Sequence, residues 1–151
     1  MAEKAPKDIV LDFSVVEPFL PLDDTRLYLA RISGMVRGTS KGSGQPKEDV
    51  EYTVLAPDKV MSVDGEGNPK EATAKGRKLF RSYSLQPQAL PFLHEFLKAN
   101  GETDEALGKN FKLNEDNYIG NEVCLAIANE EYEEQIRSRV TKVMAASKFP
   151  G

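Results

Sequence analysis

Hydrophobic and polar positions alternate most cleanly toward the end of the chain. Over residues 122–128, Val123, Leu125 and Ile127 fall at every second position, and Cys124, Ala126 and Ala128 fill the gaps. Neither face of such a strand carries charge, so the pattern predicts a central strand covered on both sides. Over 135–142 the alternation differs: Ile136 and Val140 point one way, while Arg137, Arg139 and Thr141 point the other. The polar stretch 129–134 between the two predicts the turn of a single hairpin spanning 118–143.

Upstream, residues 26–37 read as a strand with Tyr28, Ala30, Ile32 and Val36 on one face and Leu27, Leu29, Arg31, Met35 and Arg37 on the other. Residues 50–55 supply its partner, and 76–85 a further strand. Residues 9–22 alternate in part but meet Pro18 and Pro21, which cannot donate to a ladder. They predict an arm packed on the edge of the fold. Residues 88–100 repeat Leu90, Leu93 and Leu97 at helical spacing, with Phe92 and Phe96 widening the stripe. Pro91 suits the first turn of that helix and Gly101 its stop. The polar excursion 58–75, with Gly65, Gly67 and Pro69, predicts a long loop. Residues 102–117, with Leu107, Phe111 and Leu113, have the makings of a short second helix.

About five strands with one helix inserted before the last two predict a mainly β fold, a small closed or partly open barrel of the OB type. The expected layout is an arm at 1–25, one domain at 26–146 and a short tail at 147–151. A chain of 151 residues suits one domain, and 40% hydrophobic with 29% charged residues argues against disorder. No apolar run approaches the ~20 residues that a membrane span needs. The first residues, Met-Ala-Glu-Lys-Ala-Pro-Lys, lead into no apolar signal core, so a cytoplasmic protein is expected. The lone cysteine, Cys124, points the same way, since it has no internal disulfide partner.

Charge is unevenly distributed. The formal net charge is −4, yet residues 26–81 hold eleven Lys/Arg against seven Asp/Glu, and 135–151 hold four against none. Residues 102–134 hold two against ten. One face collecting the positive segments could therefore meet a polyanion. The Gly/Ser-rich stretch 38–47 with Lys41 and Lys47 lacks the Gly-x-x-x-x-Gly-Lys-Ser/Thr phosphate loop and opens no helix. It reads as a hairpin loop, with a basic character suited to closing over a nucleic-acid backbone. In 76–85, Arg77, Lys78 and Arg81 interleave with Phe80 and Tyr83. Rings that stack on bases beside cations that meet phosphates are what single-stranded nucleic acid requires. By parity at least one of Phe80 and Tyr83 must be core.

Enzyme chemistry finds no motif. His94 is the only histidine and reads as a surface or packing residue of the helix, which leaves little for a zinc site or a Cys–His pair. No carboxylate pair stands in an apolar setting that would tune a general acid. No metal, cofactor or catalytic residue is expected.

The chain resembles a family of small phage-encoded proteins, single-stranded-DNA-binding or uncharacterised, found among replication and recombination genes. The residues that carry the resemblance are Tyr28-Leu-Ala-Arg-Ile32, residues 41–46, Gly76-Arg-Lys-Leu-Phe80, residues 93–101 and Tyr118-Ile-Gly-Asn-Glu-Val123. Asn129-Glu-Glu-Tyr132 through Arg137-Ser-Arg-Val140 completes them, so that it spans roughly 18–145. The chain departs from the pattern in a larger insertion at 58–75. It also ends in Ser147-Lys-Phe-Pro-Gly151 instead of the acidic tail by which many single-strand binders recruit partners.

The expectation is a non-enzymatic protein that binds single-stranded DNA, or RNA, without sequence preference in phage replication or recombination. Replication proteins and a second copy of the chain are further candidate partners. Arg31, Arg37, Lys41, Lys47, Arg77, Lys78, Arg81, Arg137, Arg139 and Lys142 would neutralise phosphates, and Tyr83 and Tyr132 would stack or else pack. This requires the fold to gather cations distant in sequence into one trough. The alternative is an assembly module whose working surface is the acidic segment 102–134, with the basic face balancing it or meeting a partner of its own. The hairpin arginines taken alone also read as a solvated face paired with the hairpin's glutamates.

Overall fold

The computed structural model describes residues 20–64, 66–132 and 135–150, the side chains of Tyr132 and Gln135 excepted. Seven strands and one α-helix follow in the order β1 (Tyr28–Thr39), β2 (Pro46–Ala56), β3 (Lys59–Val63), β4 (Pro69–Thr73), β5 (Lys78–Ser84), α1 (Leu90–Ala99), β6 (Glu122–Tyr132) and β7 (Gln135–Ala145). Five of the strands form one antiparallel sheet in the order β5-β2-β1-β6-β7, and β3-β4 form a separate two-stranded ribbon. With the ribbon set aside, β6-β1-β2-β5 is a Greek key, in which a fourth strand returns beside the first.

The mainly β class is as expected. Barrel closure is not seen: among the described residues no ladder joins the edge strands β5 and β7. The sheet curls until those two edges come into contact, and α1 lies against both. Glu95 of α1 accepts the edge N–H of Val143 at 3.0 Å, which occupies a donor that β7 would otherwise leave open.

The core follows from alternation within each strand. Tyr28, Ala30 and Ile32 of β1, Val50, Tyr52 and Val54 of β2, Leu79 and Tyr83 of β5, and Val123, Leu125 and Ile127 of β6 are all buried. Leu93, Phe96 and Leu97 form the buried stripe of α1. Phe96 is fully buried and meets three tyrosine rings, Tyr83 at 5.4 Å, Tyr118 at 6.1 Å and Tyr52 at 6.4 Å between centroids. Gly101, at φ +96°, stops the helix in a conformation that other residues rarely adopt. Cys124 is also buried, although it faces away from this core, so β6 is covered on both sides there.

Three bulges break the period of two. In β1, Ile32 pairs with Tyr52 but Gly34 pairs with Glu51, leaving Ser33 as an extra residue. In β2, Leu55 is passed over between Val54 and Ala56. In β7, Thr141 is passed over between Val140 and Lys142. The Ser33 bulge overturns the expected face of β1: Met35 is buried and Val36 is 66% exposed.

Other expectations are corrected. Within 58–75 the chain forms the β3-β4 hairpin, with Val60 and Ala72 buried. Strand pairing continues through 129–132, so the final turn is shorter than 129–134. The second helix is replaced by turns and a single 3-10 turn at Glu115–Asn117, while Leu107, Phe111 and Leu113 pack against the core. The arm expected at 9–19 lies outside the described residues. From residue 20 the arm is tied down: Leu20 and Leu22 are buried, and the Leu22 N–H donates to Ser138 Oγ at 3.0 Å.

Phe96→Ala removes the ring on which α1 and the curled sheet converge. The expected loss is about 3–5 kcal/mol of unfolding free energy, read from urea denaturation. A loss under about 1 kcal/mol contradicts this account of the core.

Candidate nucleic-acid interface

Cross-strand pairing places the outward side chains of β5, β2 and β1 in rows. Lys78, Thr53 and Arg31 form one row, which Glu122 of β6 extends. Phe80, Glu51 and Gly34 form the next, then Ser82, Asp49 and Val36, then Ser84, Lys47 and Gly38. Phe80 is 65% exposed in this face, beside a glycine that adds no side chain to its row. Tyr83 has the opposite parity. It is 2% exposed, and its hydroxyl lies 3.1 Å from that of Tyr52, so it packs and cannot stack on a base. Phe80 is thus the exposed ring of β5, and the Tyr132 side chain lies outside the described residues.

The ten expected cations are not gathered into one trough. Arg31, Lys47 and Lys78 share the β1-β2-β5 face, and Lys41 sits exposed in the loop at one end of it. Arg137, Arg139 and Lys142 are exposed on the outer face of β7, where the Thr141 bulge brings Lys142 to the same side as the two arginines. Arg77 is half-buried and donates to the Leu20 carbonyl at 2.7 Å, so it serves the arm. Arg81 points to the inner side of β5, 4.9 Å from the Tyr83 ring and 5.8 Å from that of Phe92.

Several cations meet carboxylates. Lys47 lies 3.1 Å from Asp49, Lys78 2.8 Å from Glu51, and Arg139 3.5 Å from Glu130. These pairs sit at the surface, where an ion pair contributes about 0–1 kcal/mol, so a phosphate can compete for the cation. Carboxylates also offset the field of this face: Glu122 shares the row of Arg31 and Lys78, and Glu51 and Asp49 lie in the rows between it and Lys47. Ser82 also donates its hydroxyl to Asp49.

Arg37 is different. The Ser33 bulge turns it inward, where Nε donates to Glu48 at 3.1 Å and the guanidinium reaches Glu115 at 3.0 Å and the Leu113 carbonyl at 2.9 Å. Glu48 is completely buried. Arg37 is thereby a brace between the root of the 40–45 loop and the segment before β6, with its guanidinium committed to two carboxylates and a carbonyl. Burial pushes the Glu48 carboxyl up to about 7, against the pull of Arg37 and with help from the neighbouring Glu115. Glu115 itself is held below the ordinary range, first by its own backbone N–H.

Three carboxylates of the acidic segment are engaged by the chain itself. Glu102 accepts the Tyr118 hydroxyl at 2.6 Å, Asp104 pairs with Lys98 at 3.0 Å, and Glu115 braces Arg37. His94 lies on the helix surface, 3.8 Å from Asp104. Among the described residues no three His, Cys, Asp or Glu side chains gather as a metal site requires, and no helix is long and apolar enough to cross a membrane. No protein-family model matches the chain, and neither does any curated protein.

A carboxyl whose folded pKa is raised adds stability that is complete below its unfolded value of 4.5 and is lost as pH climbs through about 7. Stability is therefore expected to decline between about pH 5 and 8, and Glu48→Gln to flatten that decline, in thermal melts taken across the range. Asp49 and Asp104, whose pKa values are lowered, act in the opposite sense and only at more acid pH. An unchanged profile in the variant contradicts the role of Glu48.

Proposed function

We propose that this chain binds single-stranded nucleic acid, DNA in the first instance, without reading its sequence, on the outer face of β1, β2 and β5. The single observation that carries the reading is Phe80, an exposed ring on the edge strand of this face, between the rows of Lys78 and Lys47, with Lys41 in the loop beyond. A base stacks on such a ring whatever its identity, and cations on either side serve its phosphates. The strand order also supports an OB-like barrel: a Greek key, a fifth strand beside the fourth, and a helix between the third and fourth strands of the main sheet. In that architecture the second and third strands and the loops flanking them form the binding face, which here are β2, β5 and the 40–45 loop. The resemblance to phage single-strand binders supports a place in replication or recombination.

Because carboxylates balance the cations of this face, stacking contributes more of the affinity than charge does. The contacts draw on Arg31, Lys41, Lys47 and Lys78, and the cations of β7 lie on the strand that the curl brings against β5.

A second reading rests on the apolar residues of the same face. Val36, 66% exposed, lies one row from Phe80 with carboxylates between, and that composition suits a protein partner as well.

Fluorescence anisotropy with a long oligothymidylate at low salt tests the first reading. Phe80→Ala is expected to weaken binding about 5- to 150-fold while leaving the urea midpoint within experimental error. The log–log salt slope is expected near −2 to −3, about three or four phosphates at −0.7 each. Binding lost on changing Arg137 and Arg139 to glutamate places the β7 edge in the same footprint. Absence of binding by the wild-type chain at low salt removes the nucleic-acid reading and leaves the protein-docking one.

A further inference from the structure

Phe92 stands out among the residues that neither the core nor the sheet face accounts for. The stripe of α1 that enters the core is Leu93, Phe96 and Leu97. Phe92, four residues before Phe96, flanks that stripe instead of entering it and is 58% exposed, so more than half of it stays at the surface. Beside it lies Arg81, with its guanidinium 5.8 Å from the Phe92 centroid and 4.9 Å from that of Tyr83. Among the described residues no carboxylate comes within salt-bridge distance of Arg81, unlike Lys78, Lys47 and Arg139. The nearest acid on the helix, Glu95, is engaged by the Val143 N–H.

These groups are continuous with the site above. β5 is an edge strand, and Phe80 and Arg81 are consecutive in it, one facing out and the other in. That edge also meets β7 and α1, and Arg81 lies beside Phe92 of α1, so a chain leaving Phe80 would reach both on the α1 side of the edge.

We propose that the bound strand crosses the β5 edge and that Phe92 is a second stacking platform, with Arg81 held on its ring to meet the phosphate between the two stacked bases. The proposal rests on the reading of Phe80 as a base platform. Two features favour a nucleic acid over an apolar peptide here. The exposed group is an aromatic ring carrying a cation, and that cation has no competing carboxylate. Backbone-following cations alternating with rings are the pattern that single strands recognise.

The test uses the full chain with two fluorescently labelled oligothymidylates, one of about 5 and one of about 20 nucleotides, measured by anisotropy at low salt. Phe80→Leu is expected to weaken both. Phe92→Leu is expected to spare the short probe, which one platform can hold, and to weaken the long one roughly 5- to 100-fold. Arg81→Gln keeps both rings and is expected to weaken the long probe while reducing its salt slope by about 0.7. A 5-iodouracil-substituted long probe is expected to photocrosslink to peptides containing both phenylalanines.

If Phe80→Leu weakens binding while Phe92→Leu and Arg81→Gln leave the long probe unchanged, the second platform is overturned and the first stands. If the wild-type chain binds neither probe, both fall. Hydrophobic-dye binding that depends on Phe92, in a chain that binds no oligonucleotide, marks the patch as a protein-docking surface and overturns the proposal.

Discussion

Thr53 donates its hydroxyl to Ser33 Oγ at 2.8 Å, and Ser33 donates in turn to the Glu51 carbonyl at 3.3 Å. Those two bonds hold one extra residue in β1, and everything beyond it on that strand is turned over. Before the bulge Arg31 faces solvent; after it Met35 is buried, Val36 is exposed and Arg37 is carried to the inner side. Without the bulge, the Arg37 guanidinium would stand on the outer face and Glu48 would be buried with no cation, which is costly for a carboxyl at neutral pH. The composition of the exposed face and the integrity of the Arg37 brace therefore depend on the same local irregularity.

The curl of the sheet has a comparable dependence on one ring. Phe96 meets Tyr52 from β2, Tyr83 from β5 and Tyr118 from the segment before β6. Tyr52 and Tyr83 sit on the neighbouring strands β2 and β5, whereas Tyr118 lies ahead of β6 on the far side of β1, and a single side chain of α1 contacts all three. The phenol groups of Tyr52 and Tyr83 hydrogen-bond to each other, so the aromatic cluster buries two hydroxyls without leaving either unpartnered. Burial of Tyr83 in this cluster is also what leaves Phe80 outside, because neighbouring parities on one strand cannot both face the core.

The parts of the fold that were legible in the sequence are those where period and environment agree. Val123, Leu125 and Ile127 alternate and are buried; Leu93, Phe96 and Leu97 repeat at helical spacing and are buried. Legibility failed where period and environment part company. A bulge has no composition of its own, so Val36 and Met35 were assigned to each other's faces, and only the hydroxyls of Ser33 and Thr53 hint at the irregularity. In β3, Met61 and Val63 are exposed while Ser62 is buried, an inversion that disguised the strand as loop. The short helix expected in 102–117 carries three apolar anchors, yet these dock on the core from turns, with Gly101 ahead of them and Gly108 among them. At the candidate site, parity could say that one of Phe80 and Tyr83 was core but not which. A phenol with a buried partner hydroxyl in Tyr52 decides it, and that partner is 31 residues away.

Pairing of cations with carboxylates is also invisible to a charge count along the chain, because Lys78 and Glu51, or Arg37 and Glu48, meet only across a ladder. Their consequences differ with burial. An exposed pair such as Lys78–Glu51 holds its lysine in place at little cost and yields it to a phosphate, so it orients the cation before a ligand arrives. A pair with one fully buried member, Arg37–Glu48, cannot open without stranding a charge away from water. The same kind of charge pair is therefore open to exchange on one side of the sheet and architectural on the other. What separates the two roles is whether the carboxylate partner can return to solvent, and strand parity at the Ser33 bulge decides that.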